Sequence, residues 1–379
     1  MEFTRKISIE QFVEKGRVIM VYGPRRVGKT TMVQQYLQSQ TDKRVKYDVG
    51  DDLQLRKLMN SQIRRDILDY VQPYDVIAID EAQQIEHIGL AAKMIIDTYP
   101  EKVLILTGSS SFDLAQSVGE PLVGRQYIVQ LMPLAWSELA GSNYEKKQKL
   151  SELLTYGSYP EILRSETAEL KQKKLQELVS SYLYKDILSF DRLRSPELLV
   201  DIVKSLAFQI GSEVSINKLA KNVGESDPKK IKRYLDVLEK AFVIKKVKSF
   251  SKNPRNEISK MSKYYFYDVG IRNAVIGRFQ GMENRDPVDI GGLWENYVYM
   301  ELYKKNISLG NGFDSFYFWR DKKGHEIDIV IESLNSTIDA YECKWSKTNV
   351  VFTEFLDNYP TASVHVVHRE NCGEFLDLD

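Results

Sequence analysis

The sequence predicts an α/β protein: a parallel-sheet domain first, a helical module next, and a mixed α/β segment at the C-terminus. Three observations predict it. The first part of the chain alternates short apolar runs with helical patterns, as strands joined by helical crossovers require. Two of those runs, Val76-Ile77-Ala78-Ile79 and Val103-Leu104-Ile105-Leu106, are continuously apolar, as expected of strands covered on both faces. One strand-to-helix junction, Gly23-Pro24-Arg25-Arg26-Val27-Gly28-Lys29-Thr30, fits G-x-x-x-x-G-K-S/T at every fixed position.

The candidate strands of the first domain are residues 17–22, 44–48, 75–80, 103–107 and 126–131. The loop follows the first of them and precedes a helical pattern from Thr31 to Gln38. Its glycines let the backbone curl so that N–H groups face phosphates, and the helix N-terminus adds partial positive charge. Gly23 through Thr31 are therefore the candidate nucleotide-binding residues: Gly23, Pro24, Arg25, Arg26, Val27, Gly28, Lys29, Thr30 and Thr31. Lys29 is placed to reach the β- and γ-phosphates and Thr30 to ligate Mg2+, while Arg25 or Arg26 could screen triphosphate charge.

The third strand ends in Asp80-Glu81. Beside a phosphate loop, Asp80 can hold the Mg2+ shell and Glu81 can polarise the attacking water. The strand at residues 44–48 lies between the two motifs along the chain. That arrangement is expected of P-loop ATPases carrying a catalytic glutamate, in which a strand is inserted between the loop strand and the acidic strand. The next strand ends Leu106-Thr107-Gly108-Ser109-Ser110-Ser111, where Thr107 or Ser109 could sense the γ-phosphate or simply form a turn. Arg125 is either a surface arginine or a finger acting on its own or a neighbouring subunit, and a homo-oligomer would supply the latter.

The pattern is helical from about residue 150 to 190, then runs helix, helix, helix and strands from about 201 to 268. Pro287 and Gly291-Gly292 read as punctuation before the last segment. Boundaries near 195 and 285 divide the chain into residues 1–195, 196–284 and 285–379. Lys and Arg number 53, as do Asp and Glu, so a globally basic nucleic-acid binder is excluded but a local basic patch is not. Two cysteines, Cys343 and Cys372, cannot build a disulfide framework or a four-cysteine zinc site. With no apolar signal core and no apolar run long enough to cross a bilayer, the expectation is a cytoplasmic protein without a membrane partner.

Several motifs together resemble a known family. They are Gly23 to Thr31, Ile79-Asp80-Glu81-Ala82-Gln83, Leu106-Thr107-Gly108-Ser109-Ser110 and Val123-Gly124-Arg125. Further on come Leu134-Ala135-Trp136-Ser137-Glu138-Leu139, Gly157-Ser158-Tyr159-Pro160-Glu161 and Gly292-Leu293-Trp294-Glu295-Asn296-Tyr297-Val298. The chain resembles, over nearly its whole length, the archaeal and bacterial P-loop ATPases of the AAA+ superfamily whose C-terminal domain of unknown function is restriction-endonuclease-like. The resemblance implies ATP and Mg2+ as cofactors. It also implies a helical lid on the ATPase core, a winged-helix module, and a PD-(D/E)xK nuclease-like domain.

In the middle module, Ser215 to Ala220 reads as a short capped helix, and Asp227-Pro228 opens another. That second helix sets Ile231, Tyr234, Leu235 and Leu238 on one face and Lys229, Lys232, Arg233 and Lys240 on the other. Strands at residues 242–250 and 263–267 could form a wing. Residues 201–260 hold 14 Lys and Arg against 7 Asp and Glu. Lys229, Lys232 and Arg233 could lie along the phosphates of double-stranded DNA, or the helix could serve packing and subunit contact.

In the last segment, Glu342 and Lys344 are two apart and so share a strand face, with Asp328 on a neighbouring strand and Glu295 on a helical pattern. Glu295, Asp328 and Glu342 around a metal, with Lys344 beside the attacking water, is what phosphodiester hydrolysis needs. The expectation is therefore an ATP-hydrolysing protein tied to DNA binding and to metal-dependent DNA cleavage. The alternative is a nucleotide switch whose nuclease-like domain is an inactive partner-binding module.

Overall fold

The computed structural model describes residues 2–109, 122–181, 195–251, 261–310, 312 and 314–378. Ser110 and Ser111, quoted above, lie outside the described residues. The chain divides into two compact units, one of residues Arg5–Met132 with Lys240–Phe242, the other of Met1–Thr4, Pro133–Glu239 and Val243–Asp379.

The first unit holds five parallel strands: β1 (Val18–Tyr22), β2 (Val45–Val49), β3 (Val76–Asp80), β4 (Val103–Gly108) and β5 (Gln126–Gln130). Their order in the sheet is β2-β3-β4-β1-β5. The strand inserted between the loop strand and the acidic strand is therefore β4, and β2 stands at the edge. Adjacency along the chain had suggested β2, but a crossover helix can carry β4 back between β1 and β3. β3 and β4 are buried along their whole length, and Ile77, Ile79, Leu104 and Leu106 pack with Ile88, Ala92, Ile95 and Ile96 of the helix Ile88–Thr98. That sandwiching explains the uninterrupted apolar runs.

The second unit begins with helices Asn143–Gln148, Leu150–Tyr156, Pro160–Leu163 and Ala168–Leu178. Helices Pro196–Phe208, Ile216–Asn222 and Pro228–Lys240 follow. Ser215 caps the second of these through Lys218 N, and Asp227 Oδ1 accepts from Lys229 N at the start of the third. The strands β6 (Ile244–Ser249) and β7 (Lys263–Phe266) form an antiparallel pair. β8 (Ser315–Arg320), β9 (Glu326–Glu332), β10 (Ile338–Cys343) and β11 (Ser363–Val367) complete a six-stranded sheet of order β11-β10-β9-β8-β6-β7. β6 joins β8 in parallel at Lys248–Tyr317 and Ser249–Phe318.

Gly291 and Gly292 do not break the chain locally. They lie inside a 22-residue helix, Pro287–Ser308, capped by Asp286 with proline in its first turn. The pair reads as a breaker by propensity, yet a Cβ on Gly292 would come within 2.5 Å of Ile210 O. Close backbone approach explains a glycine there. Buried charges also fasten this helix: Asp289 pairs with Arg272 and Arg285, and Lys304 Nζ donates to Leu134 O.

Candidate functional site

The phosphate-loop backbone is shaped by two glycines. Gly23 has φ +151°, and a Cβ there would meet Leu131 O at 1.9 Å. Gly28, the residue before the helix Lys29–Ser39, has φ +98°. Neither conformation suits a side chain. Lys29 opens the helix and is buried; its Nζ donates to Gly23 O (2.9 Å) and Pro24 O (2.8 Å). Burial lowers its pKa to about 8, against the pull of Glu81 and Asp80. Arg5 donates to Val27 O, tying the loop to the start of the unit.

Asp80 ends β3 and collects hydroxyl donors. Thr30 Oγ1 donates to its Oδ2 at 2.7 Å and Tyr47 OH to the same oxygen at 2.9 Å, while Thr107 Oγ1 donates to Oδ1. The sheet brings these three together: Thr30 is on the loop helix, Tyr47 on β2 and Thr107 on β4. Burial and the Asp80 charge push the Tyr47 hydroxyl well above its ordinary range, so it remains a protonated donor. Glu81, next in chain, has φ +50°, a conformation that costs about 1–2 kcal/mol for a side-chain-bearing residue. Its N–H is held there by Asp80 Oδ1 (3.2 Å) and Thr107 Oγ1 (3.1 Å). A divalent cation suits this donor set: Thr30 hydroxyl and Asp80 carboxylate already touch, and both are oxygen ligands of the kind Mg2+ takes.

Arg125, just before β5, forms an ion pair with Asp97 of the helix Ile88–Thr98. Ser109 is buried at the end of β4. Sequence reasoning missed Tyr47 and Gln83. Gln83 stands two residues after Glu81 and donates to its carboxylate.

A second group of carboxylates lies in the other unit. The β9–β10 register runs through Ile329–Tyr341, so Asp328 and Glu342 come next to each other across the hairpin. Cys343 N donates to Asp328 Oδ2 at 2.8 Å. Lys344, just past β10, pairs with Glu342 Oε1 at 2.6 Å. Glu295 sits on the helix Pro287–Ser308, where the charge of Asp328 acts on it. Glu295, Asp328 and Glu342 thus converge, with Lys344 beside them.

The group contains one residue the sequence did not suggest. Lys263 of β7 is 1% exposed, and its Nζ lies 2.7 Å from Glu295 Oε1 and 2.5 Å from Glu326 Oε1. Tyr265 OH also donates to Glu295. Burial opposes the Lys263 charge, but Glu295, Asp328 and Glu326 outweigh it and raise its pKa. Burial and the Asp328 charge raise Glu295 to about 8 and Glu342 to about 7, with Lys263 and Lys344 respectively pulling the other way. Among the described residues, no group of three or more His, Cys, Asp or Glu is arranged to hold a metal ion. Two of the acids expected to share a metal pair with lysines, Glu295 with Lys263 and Glu342 with Lys344, while Asp328 accepts from Cys343 N. Glu342 Oε2 is buried and without a hydrogen-bond partner among the described residues.

The basic residues Lys229, Lys232 and Arg233 are exposed on the helix Pro228–Lys240, and Ile231, Tyr234, Leu235 and Leu238 on its other face are buried.

Comparison with known proteins bears on the first unit most directly. Residues 15–140 match the family described as AAA domain. That match, over the segment that holds the phosphate loop, supports ATP binding. Residues 147–281 and 290–371 match two families, each described as a domain of unknown function, DUF8612 and DUF4143. The chain is 24% identical over 324 residues to an uncharacterized protein of Haemophilus influenzae, covering 80% of this chain and 78% of that protein. It is 22% identical over 342 residues to one of Mycobacterium tuberculosis, covering 90% and 73%. A third, of Methanocaldococcus jannaschii, is 23% identical over 364 residues, covering 91% and 78%. Domain III of the Thermotoga maritima replication initiation protein DnaA is matched at 15% identity and TM-score 0.27, over 59% of this chain and 84% of that one. A likeness at that level fixes no function. No helix among the described residues is long and apolar enough to cross a membrane.

Proposed function

We propose that the protein is a Mg2+-dependent ATPase whose turnover is tied to DNA binding through the module at residues 196–284. The observation that carries the ATPase reading is the 2.7 Å hydrogen bond from Thr30 to Asp80, which joins the phosphate loop to the acidic strand where the metal would be shared. Mg2+, when bound with ATP, neutralises phosphate charge. Thr30 and Asp80 would hold it, Lys29 would turn from the loop carbonyls to the β- and γ-phosphates, and Glu81 would take the proton of the attacking water. Thr107 or Ser109 would report the γ-phosphate. A finger acting in the same subunit would require Arg125 to exchange Asp97 for the transition state; a homo-oligomer would bring another subunit's arginine.

The DNA reading rests on the exposed row Lys229, Lys232 and Arg233, in a three-helix and hairpin arrangement that fits a winged helix. The C-terminal domain of this reading is nuclease-like in fold. The lysines set among its acids favour the second reading of it, a non-cleaving partner-binding module. The test is ATP turnover with and without duplex DNA, beside nicking of supercoiled plasmid in Mg2+ or Mn2+. DNA stimulation that disappears when Lys229, Lys232 and Arg233 become glutamate, with a flatter salt dependence, supports the coupling. Equal turnover and unchanged salt slope would make the module a packing element. Nicking lost in Lys344→Ala would restore the cleavage reading.

A further inference from the structure

Glu81 projects from a turn whose backbone is pinned by Asp80 and Thr107, but pinning a backbone does not orient a carboxylate. The terminal torsion of a glutamate is broad and roughly two-fold, so a donor has to select its direction. Gln83 supplies one. It lies in the short 3-10 turn Ala82–Gln84, and its Nε2 donates both to Glu81 Oε2 and, at 3.2 Å, to Ser109 Oγ. An amide nitrogen carries two hydrogens, so both are used in this bridge. Gln83 Oε1 is buried and accepts from none of the described residues. A buried carbonyl oxygen without a donor is unfavourable, so the orientation of this amide is set by what its nitrogen holds. Ser109 is 2% exposed and follows Thr107 by two residues at the end of β4, the strand whose hydroxyl already holds Asp80 and Glu81 N.

We propose that Gln83 is the positioning residue of Glu81: its amide ties the carboxylate to Ser109 and fixes which oxygen is left to face the attacking water. The proposal rests on the hydrolytic role of Glu81 given above. One carboxylate oxygen is committed to Gln83 and the other accepts the proton of water. β4 thereby orients both acidic residues, Asp80 and the Glu81 backbone through Thr107, and the Glu81 side chain through Ser109 and Gln83.

The experiment uses the full chain and measures steady-state ATP turnover together with affinity for a non-hydrolysable ATP analogue. Gln83→Leu keeps the size of the side chain and removes the donor. It should lower kcat on the order of ten- to a hundredfold, with KM and analogue affinity nearly unchanged. Gln83→Glu, which cannot donate when ionised, should do the same, and retained analogue affinity in either variant shows that the unit is folded. Ser109→Ala should cause a smaller loss. The Gln83→Leu, Ser109→Ala double variant should be no worse than Gln83→Leu, because Ser109 acts through Gln83. Additive losses, or wild-type kcat in Gln83→Leu and Gln83→Glu, overturn the role of Gln83 provided that Glu81→Gln is inactive. Turnover that survives Glu81→Gln overturns the hydrolytic reading itself.

Discussion

Asp80 and Glu295 are both buried carboxylates in a ring of donors, and the donors differ in kind. Around Asp80 they are hydroxyls, from Thr30, Tyr47 and Thr107. Around Glu295 they are a lysine and a tyrosine, with a second lysine on nearby Glu342. Hydroxyls satisfy lone pairs without bringing a positive charge, so the carboxylate of Asp80 is left for an arriving cation. An ammonium cancels the charge and fills the space. Carboxylates near one another therefore signal a metal only when nothing cationic in the chain has reached them first.

The largest expected effects are in the first region. Glu81→Gln should keep ATP affinity and lose turnover by roughly 10²–10⁴, the usual contribution of a positioned base. Lys29→Ala should abolish tight ATP binding in a calorimetric titration. Unchanged affinity there, or near-normal turnover in Glu81→Gln, would move the chemistry away from the hydroxyl-held site.

Removing the lysine from the second region comes next. Lys263→Ala leaves Glu295 and Glu326 without their cation, and breaking a buried pair typically costs about 3–5 kcal/mol of stability. The contrast also has a direct metal test. Nucleotide-free wild-type protein should take up no Mn2+ at this cluster. Uptake that Glu342→Ala abolishes would show that the lysines yield to a metal, and the two regions would then be alike.

Tyr47→Phe should cost about 1 kcal/mol, the worth of one hydrogen bond, and leave ATP binding in place because Thr30 and Thr107 still hold Asp80. A loss of binding as large as that of Lys29→Ala would make the tyrosine part of the nucleotide site.

The last comparison is a pH trend. Glu295 has a folded pKa of about 8, raised chiefly by burial above its ordinary 4.5. The folded chain thus keeps a proton that the unfolded chain releases between these values. Its stabilising contribution is complete below about pH 4.5 and is lost as pH rises toward about 8. Glu295→Gln removes that titration, so the stability difference between variant and wild type should move in the variant's favour from pH 5 to pH 8 in urea denaturation. The opposite slope would mean that the Lys263 pairing outweighs burial.

The five parallel strands and the phosphate loop could be read from the sequence because apolar runs, glycine positions and the lysine are local signals. The order of the strands could not, since it depends on which crossover returns where; β2 next to the acidic motif in the chain is at the edge of the sheet. Tyr47 reaches Asp80 through the pairing of β2 with β3, which leaves no spacing signal. Lys263 did leave one. Lys263-Tyr264-Tyr265-Phe266 is a charged residue in an aromatic strand, and all four are buried. A lysine with apolar neighbours on both faces has to find a carboxylate, and Glu295 and Glu326 supply it. Gly291-Gly292 reads as a helix breaker because propensity cannot see the approach of Ile210 to Gly292.

The pairing of β6 with β8 reaches beyond the fold. The two matched families of unknown function end and begin at residues 281 and 290, which invites cutting the chain between them. Such a cut would strip β6 from β8, whose central residues are Phe316-Tyr317-Phe318-Trp319. A fragment beginning at residue 285 would present an aromatic strand with bare N–H and C=O groups, a template for another copy of itself. It should precipitate or dimerise edge to edge, whereas a fragment that starts before residue 244 carries its own protective strand.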